Sequence, residues 1–157
     1  MPMPATPLQP TLLLQSLASL PAQLDAELAG HDAAAAARRP APDEWSAIET
    51  VTHLAAGEAP FLTRLRRIVA ENNPFLPYFG PDVARPDAAQ WLPQALDHFR
   101  AERARLVDFL AGLPAEAWHR PGVHETLGAT TLAQQAQNII DHDQEHLAQL
   151  RARDGRG

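Results

Sequence analysis

The spacing of the apolar residues constrains the fold of this chain most. In four long segments these residues recur every three or four positions, which is the period of a helix with one buried face. The segments cover residues 11–30, 46–72, 87–112 and 131 onward. No segment has the alternating pattern of a convincing strand, and neither a repeat nor a long heptad pattern is present. The sequence therefore predicts an all-α bundle of four long helices.

Local signals set the limits of the first two predicted helices. Pro21 either kinks the first helix or restarts it, and Gly30 is a natural stop. Residues 31–42 are predicted to be a loop despite their alanine run. Ser46 and Glu49 have the spacing of a capping box at the start of the second helix. Pro60 predicts a bend near the middle of that helix.

The third and fourth predicted helices have weaker limits. Asp87 can cap the third helix, on which Arg100, Glu102 and Arg103 are expected to face solvent. Thr130 or Thr131 can cap the fourth helix, and Thr131 with Gln134 forms a second capping-box pair. Residues 72–86, which contain several prolines and aromatic residues, predict an irregular but packed connection. Its part from 74 to 86 is expected to contribute to a pocket if the protein is an enzyme.

Length and composition narrow the class of protein. A chain of 157 residues is the size of one domain, so 1–157 is taken as a single unit with a flexible or extended segment at 1–10. A net charge of −6 argues against a nucleic-acid partner, and no apolar run is long enough to span a membrane. The N-terminus lacks the basic front of a signal peptide, so a cytoplasmic protein is expected. There are no cysteines, which leaves histidines and carboxylates as metal ligands.

Three histidines are candidate metal ligands. His142 and His146 are four residues apart on the predicted fourth helix, so both imidazoles can reach one ion. His53 lies in an apolar stretch, where an imidazole needs a partner. A chance pair on a solvated face and a core histidine bonded to a carbonyl are the alternatives. A structural zinc normally takes four protein ligands, and no fourth is obvious, which favours an open site.

The segment 142–146 also fits the His-x-x-Glu-His pattern of certain zinc peptidases, with Glu145 as the general base. We reject that interpretation. A further acidic ligand would have to lie well downstream, and Asp154 is the only acidic residue among the eleven that follow His146. Glu145 is expected to face solvent or to support a ligand.

Three pieces of the sequence resemble the DinB/YfiT-like superfamily of metal-binding four-helix bundles. The first is Asp-Glu-Trp-Ser at 43–46 with the histidine segment 50–54. The second is 61–64 with Arg67, and the third is 132–150 with its paired histidines. The resemblance covers roughly 12–153. It implies an up-down-down-up bundle with a long crossover between the second and third helices. It also implies that His53, His142 and His146 bind zinc, nickel or a similar divalent ion, and that the chain forms a homodimer.

The resemblance also suggests an activity. Members of the superfamily include bacillithiol and mycothiol transferases, a mycothiol-dependent maleylpyruvate isomerase and proteins described as metal-dependent hydrolases. The leading hypothesis is metal-dependent transfer of a small thiol to an electrophilic substrate. The alternatives are a metal-dependent hydrolase and a non-catalytic binding or dimerisation module with a structural metal or none.

Other polar and aromatic residues have weaker interpretations. Glu58, Asp141 and Asp143 are candidates for orienting the imidazoles, although each is more often a solvated charge. Arg64, Arg66 and Arg67 are either a solvated helical face or a site for an anion. The tryptophans are expected to be packing residues, with Trp45 beside the start of the second helix. The remaining histidines are read as surface residues: His31, His98, His119 and His124. The alternative for His124 is that its loop folds over the site.

Overall fold

A computed structural model describes residues 8–79 and 91–153. Four long helices dominate it, and they are α1 (Pro10–Leu28), α3 (Ala47–Ala70), α4 (Leu92–Ala111) and α5 (Leu132–Arg153). Both α1 and α3 pack against both α4 and α5. The predicted all-α four-helix bundle is confirmed. The up-down-down-up order, the crossover between α3 and α4 and the single-domain extent of 1–157 remain predictions.

The apolar stripes of the four helices meet in two buried clusters. Phe99, Leu106 and Leu110 of α4 are buried, and so are five leucines of α1: Leu13, Leu17, Leu20, Leu24 and Leu28. Leu147 and Leu150 of α5 pack with the apolar residues of α1, α3 and α4 at one end of the bundle. An isolated helix would leave its apolar stripe exposed to water. The stripes are buried only because the helices associate.

The two predicted capping-box pairs form as expected. Ser46 Oγ accepts from the Glu49 backbone N–H at 3.1 Å, and Glu49 Oε2 accepts from the Ser46 N–H at 2.7 Å. Thr131 and Gln134 form the same reciprocal pair at the start of α5, at 2.9 and 3.2 Å. Helix α1 continues through Pro21 and ends just before Gly30, whose φ of 84° suits glycine.

Two predictions about secondary structure are wrong. The alanine run is a short helix, α2 (Ala33–Ala37), because Asp32 caps it by accepting from the Ala35 N–H at 2.8 Å. A small sheet is also present, with β1 (Phe75–Leu76) parallel to β2 (Pro121–His124) and β2 antiparallel to β3 (Gly128–Thr131). These strands are too short to show an alternating pattern. A 3₁₀ helix (Ala115–His119) precedes β2. Asp87, the predicted cap of α4, lies outside the described residues, and Trp91 is the N-cap.

Arg103 is buried rather than solvent-facing, so that prediction is also wrong. Its guanidinium donates to both carboxylate oxygens of Glu58 on α3, at 2.7 and 2.8 Å. It also donates to Asp143 on α5 at 2.8 and 3.1 Å and to the Leu17 carbonyl on α1 at 3.0 Å. One side chain of α4 is therefore hydrogen-bonded to each of the other three long helices.

The sheet brings distant segments to one end of the bundle. β1 follows α3 directly, while the β2–β3 hairpin leads into α5. Phe75 pairs with Val123, and the Tyr78 N–H donates to Glu125 Oε2 at 2.6 Å. This fixes the segment after β1 against the hairpin. Among the described helices, none is both long and apolar enough to cross a bilayer.

Candidate metal centre

The structure brings the three predicted ligand residues together. His53 on α3 is buried, and its Nε2 lies 3.3 Å from Nε2 of His142 on α5. His146, one turn further along α5, has its Nε2 3.2 Å from the same atom. One ligand nitrogen from each residue lies within 4.8 Å of the others. Three imidazole nitrogens from two helices thus converge on one point.

This arrangement has the dimensions of a three-histidine metal site. A divalent ion binds imidazole nitrogen at about 2.0–2.1 Å, which separates neighbouring ligand nitrogens by about 3.0–3.4 Å. The two measured separations, 3.2 and 3.3 Å, fall in that range. Because the site supplies three protein ligands, a divalent ion held there would keep a coordination position open for a small molecule.

The protonation state of the histidines also suits metal binding. Burial, with the charges of His146, His53 and Arg103, lowers the pKa of His142 to about 3. Burial lowers the pKa of His146 as well. His146 Nδ1 lies 3.0 Å from Gln149 Oε1, which can only accept, so Nδ1 carries the proton and Nε2 has the free lone pair. Gln149 therefore holds this ring in the tautomer that binds metal.

Trp45 packs against the candidate ligands. Its ring centroid lies 4.7 Å from that of His53, and its plane is within 6° of the His146 plane at 6.2 Å. On the other side, Phe61 meets His142 edge-on at 5.6 Å. The expectation that Trp45 is a packing residue is confirmed, with the imidazoles as its partners. Trp118 is buried as expected, whereas Trp91 is 58% exposed and the packing prediction for it is wrong.

A cavity of about 470 Å³ opens beside the three histidines. Its volume suits a small organic ligand. The α3 side of the wall carries His53, Phe61 and Arg64. The rest of the wall comes from the segment after β1, the β2–β3 hairpin and α5, with these residues: Tyr78, Phe79, His124, Thr126, Leu127, Asn138, His142, Glu145 and His146, along with Trp45 and Gly57. The expected contribution of residues after Pro74 to a pocket is met by Tyr78 and Phe79.

His124 is a site residue that sequence reasoning placed at the surface, and that prediction is wrong. Only 6% of it is exposed, and it lines the cavity. Its Nδ1 accepts from the Thr126 and Leu127 N–H groups at 3.1 and 3.2 Å, so the neutral ring carries its proton on Nε2. Burial, together with the charge of Arg64, lowers its pKa. The one sequence signal for this position is its place in a loop that could fold over the site.

The three carboxylates that were candidates for orienting the imidazoles are each hydrogen-bonded to a residue other than a histidine. Glu58 and Asp143 bind Arg103 in the interior, and Asp141 accepts from Gln137 at 2.8 Å on the surface. Gln149, which does contact a candidate ligand, was missed. Its signal was its position three residues after His146 on the same helix, which places the two side chains together.

Comparison with known proteins agrees with this architecture. The model of the DinB superfamily matches residues 16–150. A solved structure of YfiT from Bacillus subtilis superposes with a TM-score of 0.78 at 19% identity, over 100% of this chain and 94% of that one. YfiT is described as a probable metal-dependent hydrolase with an unusual four-helix bundle topology. No curated protein sequence matches the chain significantly. On the extent of the family match, the chain belongs to the DinB superfamily.

Proposed function

We propose that this protein is a metal-dependent enzyme in which His53, His142 and His146 hold one divalent ion, zinc or nickel. The observation that carries the proposal is the convergence of the three Nε2 atoms at 3.2 and 3.3 Å. Three protein ligands leave room for a further ligand, as catalytic sites do. When bound, the ion would act as a Lewis acid that lowers the pKa of a thiol or a water molecule in the open position.

The reaction proposed is transfer of a low-molecular-weight thiol to an electrophilic small molecule. A bond forms between the thiol sulfur and the electrophilic carbon while the bond from that carbon to its leaving group breaks. The leaving group departs as an anion with the bonding electrons, and the thiol proton leaves to solvent. Phe61, Phe79 and Leu127 give the cavity apolar surface beside the histidines. Such walls limit water, which would compete with the thiol as the nucleophile. Trp45 and Gln149 keep the imidazoles in their orientations.

Hydrolysis, the activity class ascribed to YfiT, is the second candidate. One residue favours it. Glu145 lines the cavity, and its charge acts on His146. A carboxylate in this position can accept a proton from an attacking water. A binding module with a structural metal is the non-catalytic alternative.

Elemental analysis of the untagged protein tests the metal site. We expect about one divalent ion per chain in the parent. His53→Ala and His142→Ala should lose it, whereas His98→Ala, a change at an exposed histidine of α4, should retain it. Absence of metal from the reconstituted parent, or its retention in His53→Ala, would overturn the proposal.

Activity assays of the metal-loaded protein then distinguish thiol transfer from hydrolysis. Bacillithiol and mycothiol are each supplied with an activated aryl halide, and nitrophenyl esters are supplied without thiol. We expect thiol-dependent loss of the halide that requires His142. Ester hydrolysis that falls in Glu145→Gln, without any thiol-dependent reaction, would favour the hydrolase instead.

A further inference from the structure

One face of α3 carries both a candidate metal ligand and a cationic side chain. His53, Phe61 and Arg64 all line the cavity, and their spacing places them on the same face of the helix. Since the rise is 1.5 Å per residue, the Cα atoms of His53 and Arg64 lie roughly 16 Å apart along the axis. The histidines and the guanidinium therefore occupy different parts of one elongated cavity.

The guanidinium of Arg64 is held in place by neutral groups. Its Nη2 donates to the Pro77 carbonyl at 2.8 Å, and its central carbon lies 4.4 Å from the centre of the Phe79 ring. These two contacts fix the plane of the guanidinium without neutralising its charge. A fixed, planar fork of N–H donors is the arrangement that binds a carboxylate through two parallel hydrogen bonds.

Among the described residues, Arg64 lacks the carboxylate partner that several other arginines of the bundle have. Arg39, Arg67, Arg100 and Arg103 each form an ion pair with a carboxylate. Within residues 8–79 and 91–153, Arg64 forms none, although it is half-buried. Burial lowers its pKa, as expected for a cation partly removed from water without a counter-charge. The guanidinium nevertheless stays protonated at neutral pH.

The rest of this part of the wall suits an organic anion with an apolar body. Phe61 and Phe79 lie 5.3 Å apart, centre to centre, and present aromatic surface next to the guanidinium. His124 is neutral because its Nδ1 is occupied by two backbone N–H groups. Arg64 is the one arginine or lysine among the described residues of the cavity wall.

We propose that Arg64 binds the carboxylate of the substrate, whose apolar or planar body lies along Phe61 and Phe79 with its reactive end toward the three histidines. The substrate class is therefore a small carboxylic acid with an electrophilic centre remote from the carboxylate. This inference rests on the proposed function only in placing the substrate in this cavity. Arg64 is a specificity-determining residue and takes no part in metal binding.

The test uses the metal-free protein, so that a carboxylate cannot gain affinity from an ion. Phenylacetate and its neutral analogue phenylacetamide are titrated against the full chain by calorimetry. We expect phenylacetate to bind about 10- to 100-fold more tightly, as a hydrogen-bonded charge pair does over a neutral hydrogen bond. Arg64→Met should remove this preference while leaving the affinity for phenylacetamide within about twofold.

Two further variants separate recognition from structure. Arg64→Gln keeps an N–H donor for the Pro77 carbonyl but lacks the charge, so it should lose the preference as Arg64→Met does. Arg66→Met is the matched control, because Arg66 is exposed on the same helix and stacks on Phe109 outside the cavity wall. It should bind phenylacetate as the parent does. Each variant is compared with the parent by circular dichroism to establish that it is folded.

Equal affinity of the parent for the two compounds, no binding of either, or a preference retained in Arg64→Gln would each overturn the proposal. These outcomes are independent of the metal analysis. A protein that binds no metal can still prefer the carboxylate, and a protein with one metal per chain can lack the preference. Failure of this inference is thereby distinguished from failure of the proposed function.

Discussion

Arg103 and Asp143 lie side by side in the interior of the bundle, with Nη1 of the arginine 2.8 Å from Oδ2 of the aspartate. Asp143 directly follows His142, so this contact fixes α5 next to a candidate ligand. The same guanidinium binds Glu58, and the two carboxylates share one cation. Burial raises the pKa of Asp143 to about 6, although the charge and hydrogen bonds of Arg103 act in the opposite direction.

Arg103→Met is expected to destabilise the fold strongly. It removes the cation and leaves Glu58 and Asp143 buried without a counter-charge, which costs about 3–5 kcal/mol in comparable cases. Urea denaturation measures the change in the free energy of unfolding. Arg100→Met is the control, because the Arg100–Asp25 pair is exposed and should change stability by about 1 kcal/mol or less. Equal effects of the two changes would contradict the role given to Arg103.

Gln149→Leu is expected to weaken metal binding without removing a ligand. The variant leaves His146 Nδ1 without its acceptor at 3.0 Å, so the ring loses its preferred tautomer and orientation. Loss of such a contact typically lowers metal affinity by about 10- to 100-fold. Competition with a chelator of known affinity measures the effect. Gln144→Leu, at an exposed position of α5, should leave the affinity unchanged.

Trp45 is expected to report metal binding by fluorescence. Its ring lies 4.7 Å from His53, and neither Trp91 nor Trp118 lines the cavity. A paramagnetic ion such as Ni²⁺ quenches an indole at this range, so titration with nickel should lower the emission of the parent. Trp91→Phe should show the same response, whereas Trp45→Phe should lose it. Quenching that persists in Trp45→Phe would place the ion elsewhere.

We expect the free energy of unfolding to fall at acid pH as Glu49 becomes protonated. A hydrogen bond from Arg39 lowers the pKa of Glu49 from its ordinary value of 4.5, and the Ser46 N–H adds to the effect against the opposing influence of burial. The folded state therefore binds its proton at lower pH than the unfolded state does. This contribution is fully present above about pH 4.5 and is lost as the pH falls through the folded value.

Glu49→Gln tests this pH dependence. At neutral pH the variant should be less stable by about 1 kcal/mol, the usual effect of weakening a helix cap. The difference from the parent should shrink as the pH is lowered from 5 toward about 3. Thermal unfolding across that range measures it. A difference that is constant with pH would show that the carboxylate charge has no part in the cap.

The sequence by itself determined the elements that depend on local spacing. The four apolar stripes, the capping pairs at Ser46 and Thr131, and the position of His142 above His146 all follow from the helical period and from hydrogen bonds between residues three or four apart. The same spacing also indicates the burial of Arg103. Arg103 lies four residues after Phe99 and three before Leu106, which places it on the buried face of α4.

Tertiary structure decided which of these faces meet. That His53 on α3 comes within 3.3 Å of His142 on α5 depends on how two helices far apart in the chain pack together, and no local pattern specifies it. The same holds for the Glu58–Arg103–Asp143 cluster and for the approach of β1 to β2, which places Tyr78, Phe79 and His124 around one cavity. Local spacing determines which side of a helix a residue occupies. Which residue of another helix it contacts depends on how the four apolar stripes pack together when they are buried.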